Sequence, residues 1–298
     1  MKAYNKTDEY DAFGPWIHIV GEAHALPPIF AAECPEADRA KLLIKIPRMI
    51  ERRNANPDMH LYDSVVGVTN DYILILNRNG DEITRGTMAI ADIQAIQKTN
   101  DLLAGQLQLC AADNVLTIDY NTVSDNIISR IVTLIRGMWG QQETTFSLPT
   151  LPYSINTVGF LYTNLINAMQ KEDAGTGLIA YQPQMMVRMY GLRHILSLLK
   201  YRRVMQSTAF LSDSRELITI CQSRFIQTER HNTYAYTYTY VPLSGIAHAR
   251  IVSHPGYESL RQFEYGTADH RFASFIGEEN SGIEALSRAL NGLLTHQS

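Results

Sequence analysis

Tyr72-Ile-Leu-Ile-Leu-Asn-Arg-Asn-Gly-Asp-Glu-Ile-Thr-Arg-Gly-Thr-Met-Ala-Ile-Ala-Asp-Ile93 holds two strand-like runs, Tyr72–Leu76 and Glu82–Ile90, around an Asn-Gly step. The tract Asn77-Arg-Asn-Gly80 predicts a tight hairpin, because Asn and Gly tolerate the positive φ that short turns require. The same interval separates Phe225 from Ile246, where strand-like runs again lead into a turn, Gly245 standing before Ile246 as Asp92 stands before Ile93. Outward from the first stretch, strands are predicted at Leu42–Pro47, Tyr62–Thr69, Asp92–Ile96, Gln106–Cys110 and Val115–Tyr120. An amphipathic helix follows, carrying Ile127, Ile128, Ile131, Leu134 and Ile135, with the Ser124 hydroxyl as its cap. Outward from the second, strands are predicted at Met205–Leu211, Glu216–Cys221, Arg224–Thr228, Tyr234–Pro242, Ile246–Ile251, Arg261–Tyr265 and Arg271–Ile276. A helix with Ile283, Leu286, Leu290, Leu293 and Leu294 closes that copy. The chain thus reads as one strand-and-helix pattern written twice.

The rest of the sequence sets the bounds of each copy. Residues 1–40 carry apolar pieces, Phe13–Val20 and Leu26–Phe30, separated by turn residues, and read as an arm packing Trp16 and Phe30 on the first domain. Residues 41–140 form the first domain and 201–298 the second. Residues 141–200 read as a helical connector, with Val158, Leu161, Leu165 and Met169 on one helical face and a second short helix over Tyr190–Lys200. The fold class is α+β. About seven short antiparallel strands per copy hide their edges best by bending into a partial barrel stoppered by the last helix.

Composition excludes some roles. The formal charge of −4, from 26 Lys and Arg against 30 Asp and Glu, gives no general attraction for nucleic acid, and none is expected as a partner. The start of the chain lacks the apolar run of a secretory signal, and no stretch approaches the roughly 18 apolar residues of a spanning helix, so a cytoplasmic location is expected. Cys34, Cys110 and Cys221 are odd in number and far apart, which reads as reduced buried thiols. His18 and His24, like His248 and His254, match no metal-ligand spacing, and no cofactor or metal is expected. No nucleophile-base motif is visible, so the chain is not expected to be an enzyme.

Phe13-Gly-Pro-Trp-Ile17, Lys45-Ile-Pro-Arg-Met-Ile-Glu-Arg-Arg53, Met59-His-Leu-Tyr-Asp63 and Tyr120-Asn-Thr-Val-Ser124 resemble an uncharacterised bacterial family, and both copies resemble bacterial pleckstrin-homology-like (PH-like) domains. The resemblance implies two such domains, each a seven-stranded bent sheet capped by its C-terminal helix. It implies no activity.

Two residue groups are candidate sites. Arg48, Arg52 and Arg53, with Lys200, Arg202 and Arg203, form basic clusters near the first strand of each copy, suited to phosphate oxygens or an anionic membrane surface; pairing with nearby acids is the plainer reading. Tyr234, Tyr236, Tyr238 and Tyr240 alternate, so their rings share one sheet face and form an interface, either with a partner or within the chain. The leading expectation is a binding or scaffolding protein that recognises another protein at its sheet edges and loops, with self-association as one form of this. Anionic-headgroup binding is the alternative, and an enzyme with an interdomain site the second alternative.

Overall fold

A computed structural model describes residues 3–139, 148–189, 203–222, 226–228, 235–258 and 260–297. The chain is mixed α+β, built mostly of antiparallel sheet. It divides into two compact units. The first comprises Met1–Ile93, Leu103–Leu107 and Val115–Gln141; the second comprises Gln94–Leu102, Gln108–Asn114 and Gln142–Ser298.

The first unit opens with the arm: helix α1 (Lys6–Ala12), the two-residue strand β1 (His18–Ile19) and the short helix α2 (Pro28–Ala31). The Asn5 side chain caps α1 by accepting from the Thr7 amide. Strands β2 (Leu42–Pro47), β3 (Tyr62–Val68), β4 (Tyr72–Asn79) and β5 (Glu82–Ala89) follow, giving a sheet of order β1-β2-β3-β4-β5. The expected hairpin is present: Asn79 faces Glu82 across a two-residue turn, and Gly80 has φ 66°. Positive φ at the first turn position alone is the type II′ pattern. Phe13, Val20, Phe30 and Cys34 of the arm pack on Leu43, Val65, Leu74 and Leu76 of the sheet. Phe30 is buried as expected, but Trp16 is not; it is 51% exposed, and Phe13 takes the buried place.

Strands β6 (Ala95–Asp101), β7 (Ala104–Ala111) and β8 (Asn114–Asn121) lead to α3 (Asp125–Trp139), which buries Ile128, Ile131, Val132 and Ile135 at helical spacing. Asp92, expected to begin a strand, lies instead in a 3-10 turn over Ile90–Asp92, and the strand starts later. The Ser124 hydroxyl does not cap the helix. It accepts from the Ile17 amide and pins the arm, while Asn121 caps the turn before α3.

In the second unit, α4 (Ile155–Glu172) bends at Gly159, whose φ of 78° no other residue type would adopt cheaply. Residues 141–200 are not wholly helical among the described residues, since β9 (Gly177–Gln182) and β10 (Met185–Met189) lie within them. The run Leu178-Ile-Ala is too short for a buried helix and has the length of a buried strand. The expected Tyr190–Lys200 helix lies outside the described residues. Met205–Leu211 is two strands, β11 (Arg203–Met205) and β12 (Thr208–Ser212). Then come β13 (Glu216–Gln222), β14 (Ile226–Thr228), β15 (Tyr236–Pro242), β16 (His248–Ser253), β17 (Tyr257–Glu258), β18 (Leu260–Gly266), β19 (Arg271–Gly277) and α5 (Ser281–Gln297).

Three further sheets result. One has seven strands in the order β8-β7-β6-β15-β13-β12-β9, the second is β14-β11-β10-β17, and the third is β16-β18-β19. Ile283, Leu286 and Leu290 of α5 share a core with Phe210, Leu217, Val241, Phe263 and Ile276. A further 3-10 turn, Leu243–Gly245, precedes Ile246, and the amides of Ile93 and Ile246 each bond back to the first residue of their turn.

Candidate functional site

The most unusual side-chain cluster lies under the arm. Lys45 occupies the middle of β2 with no exposure, and Glu9 of α1 is 4% exposed. A buried ammonium is tolerated only when paired and hydrogen-bonded. Lys45 meets both conditions: its Nζ donates to Glu9 Oε2 and, at 2.9 Å, to the Ala25 carbonyl, and it stands 4.3 Å from the centre of the Tyr62 ring. The Tyr62 hydroxyl donates to the same Glu9 oxygen at 2.9 Å. Burial first, and then the Glu9 charge, push the Tyr62 phenol above its ordinary range. His18 lies against His24 with ring centres 4.0 Å apart and planes tilted by 30°, and its Nε2 lies 3.3 Å from the Ala12 carbonyl. Burial, and then the neighbouring His24, hold His18 below its ordinary value. The sequence signal for this cluster is a lysine inside the otherwise apolar run Leu42-Leu-Ile-Lys-Ile-Pro47. Its partner, on a helix far upstream, carried none.

The arginines expected to meet phosphate are engaged with the protein itself. Arg52 donates to the carbonyls of Tyr10 and Phe13 and lies over the Tyr10 ring, clamping the arm. Arg48 sits 3.7 Å from Asp63, which also pairs with Arg78, and Arg53 pairs with Glu51. Arg203 lies on β11, between β10 and β14. Lys200 and Arg202 lie outside the described residues.

The tyrosine stripe sits on β15, between β13 and β6. Tyr236 meets Tyr162 of α4 edge-on at 6.4 Å and accepts from Gln222 Nε2 at 3.0 Å. Tyr238 lies under Lys98 Nζ at 5.1 Å, and Tyr240 is buried. Tyr162 in turn meets Tyr181 at 5.6 Å. These rings therefore pack within the second unit, while Tyr234 lies outside the described residues.

One sheet edge is open. β5 has β4 as its only neighbour among the described residues, and Glu82, Thr84, Arg85, Gly86 and Thr87 are exposed. A two-residue turn makes Asn79 and Glu82 a hydrogen-bonded pair, and alternation from there turns the amides and carbonyls of Ile83, Arg85 and Thr87 away from β4. Charged side chains commonly blunt such an edge. Here Arg85 folds back, donating to the Glu33 carbonyl and pairing with Glu36, so its charge is turned away from the strand.

Among the described residues no three His, Cys, Asp or Glu side chains group to hold a metal, and no helix is long and apolar enough to cross a membrane. The molecule belongs to the α+β class, built mostly of antiparallel sheet. No protein-family model matches the chain, and no curated protein is similar to it.

Proposed function

We propose that this chain is a tandem of two PH-like domains that works as a non-catalytic binding protein, receiving an extended segment of another protein on the β5 edge. The tandem reading is supported by the order of elements. β2 to β5, a 3-10 turn, β6 to β8 and α3 are matched by β9, β12, β13 and β15, a 3-10 turn, β16, β18 and β19, and α5. The binding reading rests on the outward backbone groups of Ile83, Arg85 and Thr87, which offer a strand the hydrogen bonds that β-addition uses.

A library of random peptides displayed on phage, selected on the whole protein, tests the reading. Thr87→Pro removes one outward donor without touching the β4 ladder, as an edge position allows. Selected peptides should lose at least about tenfold in affinity for Thr87→Pro, the equivalent of one strong hydrogen bond. Peptides that bind Thr87→Pro as tightly as the parent, or no selection at all, would overturn the assignment.

A further inference from the structure

We infer that the N-terminal arm, residues 3–40, is an acid-released latch on the first unit's sheet, with the adjoining His18 and His24 as its trigger. The inference stands on that unit alone and is independent of what binds β5. The backbone ladder of the arm on the sheet edge is short: β1 pairs with β2 at His18–Lys45 and Ile19–Ile44, and the Val20 amide donates to the Leu43 carbonyl at 2.8 Å. Further holds are the Ile17 amide on the Ser124 hydroxyl, Arg85 and Tyr72 on Glu36, the apolar contact of Phe13, Val20 and Phe30, the Arg52 clamp, and the polar cluster around Lys45, against which His18 lies. A tight reversal, in which Gly21 donates to the His24 carbonyl at 2.9 Å, brings the two imidazoles together with their centres 4.0 Å apart and their planes tilted by 30°.

A proton placed on His18 meets burial and two positive neighbours. His24 lies against it and the Lys45 ammonium acts on it from β2, while the Tyr62 ring of β3 stands 6.4 Å away at 75°. From α1 come the Ala12 carbonyl and Glu9, the two favourable contacts, and Glu9 is already shared between Lys45 and Tyr62. Burial and the His24 charge outweigh them and hold His18 below 6.5 in the closed state. A released arm returns the imidazole to about 6.5. The open state therefore binds the proton more readily. Closure is at full strength above about pH 6.5 and weakens as pH falls from there through the closed-state value, by up to tenfold per pH unit for one histidine. Release uncovers the outer edge of β2 and the apolar face formed by Leu43, Val65, Leu74 and Leu76. It also frees Cys34, which is buried in the same core.

Hydrogen exchange followed by mass spectrometry on the full chain, from about pH 8 to about pH 5 and corrected for intrinsic rates, tests the latch. Peptides over residues 5–24 and 42–47 should lose protection by up to tenfold per pH unit below about 6.5 while β13 keeps its protection. In parallel, dithiodipyridine, which reacts with thiols in acid, should label Cys34 before Cys110 or Cys221. The His18→Gln/His24→Gln double variant should hold the arm closed across the range. An arm still protected at about pH 5, an arm and β13 that open together, or a double variant with the parent's pH slope would each overturn the latch. Should the double variant fail to fold, the order of labelling at the three cysteines in the parent chain decides alone.

Discussion

Lys45 shows how a single residue can fix a segment far from it in sequence. Its ammonium joins the centre of β2 to a carboxylate on α1 and a carbonyl of the arm, so the segment before the sheet is placed by one buried charge. Replacing it with Met leaves Glu9 buried without its counter-charge, a loss of about 3–5 kcal/mol; adding Glu9→Leu should recover most of it, because a buried pair is close to neutral against an apolar substitute. Urea unfolding at neutral pH of the two single variants and the double one measures this. At this scale the sequence was partly legible. Phe30 and the three buried cysteines were readable from their apolar surroundings. Trp16 was not, since hydrophobicity alone does not tell which of two aromatics, Phe13 or Trp16, a short arm turns inward. Ser124 was misassigned because a serine before a helix suits a cap, whereas here its hydroxyl meets an amide from more than a hundred positions upstream.

Among the elements, local signals read best where the chain pairs with its near neighbour. β2 runs over the expected Leu42–Pro47, and the β4–β5 hairpin turns at Gly80, since a glycine at the first turn position and the register of eight facing pairs agree. Gly80→Val forces a β-branched residue to φ 66° and should destabilise the first unit by about 1–2 kcal/mol, read as a lowered urea midpoint with unchanged slope. Elements set by distant partners were less legible. β9 is held by β12 across a stretch that includes β10 and β11, and Met205–Leu211 is split at Gln206 and Ser207, where one half joins the β10–β14 sheet and the other the seven-stranded one. No periodicity within seven residues announces a change of sheet. The tyrosine stripe was legible as a shared face, but its covering residue, Tyr162, comes from a helix whose docking the spacing does not specify.

At the scale of the whole molecule, the second unit takes Gln94–Leu102 and Gln108–Asn114 from the first half of the chain. β6 pairs with β15 from Ile96–Tyr240 to Asn100–Tyr236, and Gln97 and Thr99 bond across to Thr239 and Thr237. The repeated spacing in the sequence carries no signal that β6 is laid beside β15, about 140 residues further on. A chain ending after Trp139 therefore keeps its seven predicted strands yet lacks the neighbour of β6. It should associate or precipitate at concentrations where the full chain stays monodisperse, measured by light scattering. Adding a peptide spanning β15 should slow that association.

The β6–β15 ladder has a consequence for how the protein is made. During synthesis β6 leaves the ribosome long before β15 has been translated, and the nascent chain carries a bare strand edge throughout that interval. Closing so distant a pairing is slow compared with forming a local hairpin, so the productive order of assembly is the five-stranded sheet first and the seven-stranded one last. Chaperone occupancy of ribosome-bound chains is then expected to peak after β8 emerges and to fall once β15 is free.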